Sequence, residues 1–396
     1  CRPYAHASIL EDEGEGLIAV MPWTVGVLGA ALLAVVLWDA FETIVLPRRI
    51  SRPFRLTKYF YRSTWSPWRA VAGLLPSKQR EPFLSYYGPL SPLLLLGFWA
   101  VGIVVSFGLL QWAAGSAFNV VGGKPGLGSD LYMSGTTFFT LGLGDVVPRT
   151  AWAKFLTVAE AGTGFAFLAL VIGYFPIIYQ AFSRREAAIS MLDARAGTPP
   201  TAGELIARHS ADPEGLGRLL YEWERWAADV LESHLSYPLL AYFRSQHTNQ
   251  SWLAALTCIL DTSALVAAGL EGWPTRQAEL TFAMARHTVV DLSQVFSTAP
   301  ITPHRDRLTL AHFERLRVRL ETAGLRLRDG IDGAERLAEW RRLYEPHVAA
   351  LSEYLRLPLP PWVRELERRD NWEASPWDQG SGAKRPTLAS AGDTHF

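Results

Sequence analysis

Residues 134–148 read SGTTFFTLGLGDVVP, a stretch too polar to cross a membrane and too apolar for a surface loop. It lies between two long apolar segments, 89–113 and 153–182, and a third, 17–46, precedes them. Each is long enough for the roughly 20 residues that a helix needs to cross the hydrocarbon core of a bilayer. Trp23, Trp38, Trp112, Trp152 and Tyr179 lie towards the ends of these segments, where amphipathic rings favour the interface.

The charges between the segments set a sidedness. Residues 47–82 carry Arg48, Arg49, Arg52, Arg55, Lys58, Arg62, Arg69, Lys78 and Arg80 against a single acid, Glu81. Such an excess marks a cytoplasmic loop. The N-terminal EDEGEG (11–16) and the Gly-rich connection 114–152 then fall outside, and the third segment exits at the basic SRRE (183–186), again on the cytoplasmic side.

The opening stretch therefore belongs to the outer side. SDLYMSGTTFF (129–139) suits a short helix of about three turns, with Ser129 or Asp130 as its N-cap. At TLGLGD the backbone has to be neither helix nor strand. Gly142 and Gly144 alternate with bulkier residues, which allows left-handed angles at alternate positions and lets successive carbonyls point one way. Irregular backbone at membrane depth is tolerated only when protein covers it or it lines a water-filled path.

In this order of elements the sequence resembles the pore domain of potassium channels: outer helix, re-entrant pore helix, a T-x-G-x-G-D filter and inner helix. The resemblance spans about a quarter of the chain, from roughly 89 to 185. It implies that Thr140, Leu141, Gly142, Leu143 and Gly144 are the filter, whose backbone carbonyls, with the Thr140 hydroxyl, replace the hydration shell of K+. Asp145 takes the acidic position at the outer mouth, and Thr136 and Thr137 the Thr-rich end of the pore helix. Leu141 stands where Val or Ile is usual, and Leu143 where Tyr is commoner, so a hydroxyl that can tie the filter to surrounding helices is missing. One pore loop per chain implies a homotetramer.

The third segment is then the inner helix. Gly162, Gly164 and Gly173 are candidate gating hinges, although packing explains a Gly in a membrane helix equally well, and Pro176 would kink the helix. Glu160, the only acid in that segment, is a functional candidate because an ionisable group there is expensive; bracing the pore helix is favoured over lining the cavity. In the first segment Asp39 and Glu42 lie one turn apart within reach of Arg48 or Arg49, an ion-pair cluster at the interface. No segment carries Arg or Lys at every third position, so a helix-borne voltage sensor is unsupported.

The C-terminal half reads as all-helical, with patterns at 202–210, 213–235, 251–270, 274–297, 304–328 and 333–356, and with Pro213 and Pro274 at first-turn positions. Residues 251–270 match a membrane span in length, but Asp261 at the centre predicts a buried core helix. There is no βαβ alternation, Gly-rich nucleotide fingerprint or His cluster with metal-ligand spacing.

With 38 basic and 38 acidic residues among 396, no excess positive charge calls for a nucleic-acid partner. Cys1 and Cys258 are the only cysteines, so there is no disulfide framework. The chain begins with Cys1, and Met21 would be an alternative start. No nucleophile–base–acid set suggests an enzyme, and no cofactor is expected beyond K+ as transported ion.

The expected protein is an all-α membrane protein with three transmembrane helices, a re-entrant pore helix and filter, and an all-α cytoplasmic domain. Its parts are an outer stretch 1–16, a first span 17–46, a basic linker 47–88, a pore domain 89–185, a helical domain 186–370 and a disordered tail 371–396. Its partners are K+, the lipid bilayer and copies of itself. A weakly selective cation channel and a non-conducting membrane scaffold are the alternatives. The excess of Arg over Lys suggests a bacterial plasma-membrane protein.

Overall fold

The computed structural model describes residues 8–46, 55–247, 249–271, 273, 275–328, 331–364, 370 and 372. Cys1, Arg48, Arg49, Arg52, Pro274 and the tail beyond Trp372 lie outside them. The fold is nearly all-α, 74% helical. Among the described residues, three helices are long and apolar enough to cross a membrane, Pro22–Ile44, Ser77–Ala113 and Ala151–Ala196.

The elements run α1 (Ser8–Ile44), α2 (Leu56–Leu74), α3 (Ser77–Ala113), β1 (Phe118–Val120), α4 (Leu127–Phe138), β2 (Val146–Pro148), α5 (Ala151–Ala196), α6 (Ala202–Arg208), α7 (Pro213–Ser236), α8 (Trp252–Ala268), α9 (Arg276–Val295), α10 (Leu310–Thr322), α11 (Ile331–Arg342) and α12 (Glu345–Leu355). A 3-10 turn, Pro238–Tyr242, follows α7. The chain divides into two compact units: 1–185 with 228–244 and 294–297, and 186–227 with 245–293 and 298–396.

In the first unit α1, α3 and α4 pack on a core of Val36, Ala40, Leu95, Trp99, Ile103, Phe107 and Phe138. Helix α3 starts at Ser77, a dozen residues before the apolar run, and α5 passes through Pro176 to end at Ala196, just before Gly197, whose φ of +80° is the left-handed stop that a residue without Cβ adopts cheaply. Helix α2 is amphipathic and lies inside the expected linker. Asp39 anchors it. Its buried carboxylate accepts the backbone N–H of Thr57 (3.1 Å) and the Thr57 hydroxyl (2.6 Å) at the first turn of α2, and the indole N–H of Trp99 on α3 (3.0 Å). A helix N-terminus has unsatisfied N–H groups and a partial positive charge, so a carboxylate is a fitting cap. Glu42 accepts the indole N–H of Trp38 (2.6 Å). The expected cluster with Arg48 or Arg49 lies outside the described residues; among those described, Asp39 is a three-helix junction.

The second unit is built around α8, in which every residue from Trp252 to Ala268 is buried. Asp261, at its centre, is held by the Arg307 guanidinium and the Tyr344 hydroxyl, and Arg307 also reaches Glu345 (3.3 Å) and the Pro360 carbonyl (2.8 Å). Burial would loosen Arg307's hold on its proton, but Asp261 outweighs that and raises its pKa. Cys258, one turn away and fully buried, has its thiol pKa pushed up by burial and then by Asp261, which makes it an inert packing residue. The expected 333–356 helix is two helices, α11 and α12, because the chain turns at Leu343 and Tyr344 to bring that hydroxyl to Asp261.

Candidate functional site

The loop 139–145 is suspended from the end of α4. That helix begins at Leu127 with Gly126 as its cap, earlier than Ser129 or Asp130. The Ser129 hydroxyl instead accepts the Gly126 N–H (2.9 Å), and the buried Asp130 carboxylate accepts the Ser116 hydroxyl (2.5 Å), which ties the connection after α3 to the first turn of α4. Beyond the loop, β2 pairs antiparallel with β1, Phe118 opposite Pro148 and Val120 opposite Val146, and Val121 N–H reaches the Asp145 carbonyl (3.0 Å). Both ends of residues 139–145 are thus held by hydrogen bonds.

At the C-terminus of α4 the Thr140 N–H bonds the Thr137 carbonyl (3.0 Å) and the Leu141 N–H the Thr136 carbonyl (2.7 Å). The chain then adopts positive φ at every second residue: Thr140 (+58°), Gly142 (+56°) and Gly144 (+80°). The two glycines meet the sequence expectation. Thr140 does not, since an L-residue there is strained by about 1–2 kcal/mol. The two N–H bonds into the last turn of α4 flank that residue and hold it. Residues 140–144 are exposed in the single chain, with the Leu141 and Leu143 side chains outward at 61% and 64%.

Helix α5 supports this loop from behind. Glu160, 1% exposed, hydrogen-bonds the Ser134 hydroxyl of α4, whose Oγ also lies 2.7 Å from the Val104 carbonyl of α3. The Gln111 amide on α3 reaches the Ala153 carbonyl of α5 (3.3 Å). Four turns along α5 from its start, Gly164 lies against the last residue of α4: a Cβ at that position would sit 2.3 Å from the Phe138 carbonyl oxygen. A Cβ on Gly162 or Gly173 would meet nothing within 4 Å. The Tyr132 hydroxyl of α4 lies beside the Asp145 carboxylate.

The structure thus gathers Thr136, Thr137, Glu160 and Gly164 around the C-terminal end of α4, with Thr140 to Asp145 hanging from it, and leaves Gly162 and Gly173 apart. Ser134, Tyr132 and Gln111 are site residues that the sequence did not single out. Their roles depend on partners 13 to 46 positions away along the chain. No local pattern announces such pairs.

Residues 98–181 match the family model described as Ion channel. No curated protein and no solved structure matched the chain. The matched segment runs from Phe98, within α3, to Ala181, within α5, and so covers the last part of α3, α4, the loop and the first part of α5, while α1, α2 and the C-terminal helices lie outside it. The element order, the supported loop and the match coincide on one stretch of chain, and residues 98–181 are similar to the ion-channel family, consistent with a two-helix pore domain.

Proposed function

We propose that the chain assembles as a homotetramer and conducts K+ passively through a filter made of Thr140, Leu141, Gly142, Leu143 and Gly144. The observation that carries this reading is the alternation of left-handed backbone at Thr140, Gly142 and Gly144. Alternation of this kind turns successive carbonyls to one side, and four such loops around an axis make rings of oxygens that replace an ion's hydration shell, as in potassium-channel filters. Exposure of the whole loop in one chain supports assembly, because irregular backbone at membrane depth needs a protein or aqueous surround.

In this reading Asp145 concentrates cations at the outer mouth, and Glu160 braces α4 through Ser134. Gly162 and Gly173 remain the hinge candidates. The basic loop 47–82 supports an orientation with the N-terminus outside and a cytoplasmic helical domain, in a bacterial plasma membrane. Weak selectivity is the second reading, carried by Leu143, an outward apolar side chain with no hydroxyl to stiffen the filter.

The test is the reversal potential of reconstituted protein with K+ on one side and Na+ on the other. A value close to the K+ equilibrium potential is expected, with current abolished by Gly144→Ala. A value near zero with robust current would replace K+ selectivity by the second reading, and Leu143→Tyr should then shift it towards K+. Silence of the intact protein that persists after removal of 190–396 would overturn the channel.

A further inference from the structure

The first unit contains a segment of the chain far from the pore in sequence. Residues 228–244, comprising the last turns of α7, the 3-10 turn and Phe243–Arg244, pack on the end of α5 remote from the filter. Leu239, Leu240 and Phe243 form one apolar cluster with Tyr174, Ile178, Ala181 and Phe182 of α5. Arg185, 4% exposed, lies beside them. Its guanidinium donates from one terminal nitrogen to the Leu240 carbonyl (2.9 Å) and from the other to the Phe243 carbonyl (2.7 Å). It also reaches Nε2 of His234 (3.2 Å), whose Nδ1–H donates to the Val230 carbonyl (2.8 Å), so that Nε2 is the accepting nitrogen of a neutral ring.

The same segment grips α2 and the start of α3. The Tyr242 ring stacks on Tyr61 at 5.7 Å and meets Trp65 at 5.0 Å and Tyr87 at 5.1 Å. A Cβ on Gly88 of α3 would come within 2.9 Å of the Phe243 Cα, so the backbone of the segment lies directly on that helix. Arg244 pairs with Glu81 at 2.6 Å.

We propose that residues 234–244 are a clasp that fixes the far end of the inner helix to α2 and to the base of α3, and that gating movement of α5 requires Arg185 to release the Leu240 and Phe243 carbonyls. The planar guanidinium fork satisfies both carbonyls only in one placement of the helix. Leaving it half-bonded in a buried setting is strongly unfavourable, so the contact has two discrete states, made or released. The segment is continuous at both ends with the C-terminal helices, through α7 and through Ser245, which gives those helices a covalent handle on the clasp. The effect on flux rests on the channel reading above; the tie itself does not.

The experiment compares full-length wild type with Arg185→Lys, which keeps the charge but cannot reach both carbonyls, and with Glu81→Arg, Arg244→Glu and their double swap. Amide exchange and K+ flux are read in the same liposomes. In Arg185→Lys, exchange at 237–244 and at 178–185 should rise together by about tenfold or more, the loss of one charge-assisted hydrogen bond. Open probability should shift by a comparable factor with the reversal potential unchanged. Each single charge reversal should act in the same direction, and the double swap should restore the wild type. That pair carries the test if Arg185→Lys does not fold. A conducting wild type whose clasp variants gate alike, or exchange that rises in the segment alone, overturns the clasp. A silent wild type with coupled exchange leaves the clasp standing, and only silence that persists after removal of 190–396 overturns the channel reading.

Discussion

Gly164 is where the geometry makes its sharpest demand. A Cβ there would lie 2.3 Å from the Phe138 carbonyl oxygen, while carbon and oxygen in contact need about 3.3 Å, so alanine forces a retreat of about 1 Å. The displaced group is the residue from which the loop hangs, since the N–H bonds of Thr140 and Leu141 end on Thr137 and Thr136 just before it. Overpacking of this kind costs about 1–3 kcal/mol, against a helix-propensity gain for Gly→Ala of up to about 1 kcal/mol. Gly162→Ala and Gly173→Ala have no steric term in the chain and receive the propensity gain alone. Gly164→Ala should therefore be less stable than either control by about 2 kcal/mol, roughly thirtyfold in the unfolding equilibrium. The assay is thermal unfolding in detergent of the three variants, alongside the reversal potential, which only Gly164→Ala should move. Equal melting of Gly164→Ala and Gly162→Ala, with an unmoved reversal potential, would refute the close-packing argument and return Gly164 to the hinge candidates.

Asp261→Ala should destabilise the second unit by about 3–5 kcal/mol, because it strands the buried Arg307 guanidinium. Denaturant unfolding followed by far-UV circular dichroism checks this, and a change under about 1 kcal/mol would contradict it. His234 is held neutral, its pKa pushed down to about 3 by burial and then by the Arg185 charge. Its folded pKa lies below the unfolded value, so the unfolded chain binds the extra proton as pH falls below the ordinary histidine range, and stability drops with it. Between pH 7 and pH 5 the loss should be about 2 kcal/mol, and His234→Gln should flatten that slope in melting curves; parallel slopes would contradict it. Asp39→Ala should cost about 2–4 kcal/mol by leaving the Thr57 N–H and the Trp99 indole N–H unpaired, seen as a lower melting temperature and a shifted Trp99 emission, and an unchanged melt would remove Asp39 as the junction.

Much of this architecture was legible along the chain because its signals are local. Three runs of apolar residues gave three helices of spanning length, and the all-helical character of the C-terminal half follows from its periodicity. The predicted burial of 251–270 agrees with α8, since an acid at the centre of an apolar helix needs a partner that only a protein interior supplies. Gly142 and Gly144 announced their backbone directly, as residues without Cβ among bulkier ones.

What only the tertiary structure decided depends on partners distant in sequence. Helix α2 was hidden in a basic stretch with Pro67 inside it, and its first turn is capped by Asp39, 18 positions earlier. The left-handed angle at Thr140, a residue that does not favour it, is imposed by bonds to α4 on either side. Glu160 was visible as an expensive acid, but its partner Ser134, 26 positions away, was not. Arg185 read as one more basic residue at the end of a span, yet it is buried against carbonyls 55 and 58 positions on. Composition, hydropathy and backbone freedom act between near neighbours, so the sequence alone determined which segments are helical, which are apolar and where the backbone departs from both. Which buried polar group meets which is settled by packing, because each hydrogen bond must be satisfied somewhere in the interior and the chain brings its partner there from afar.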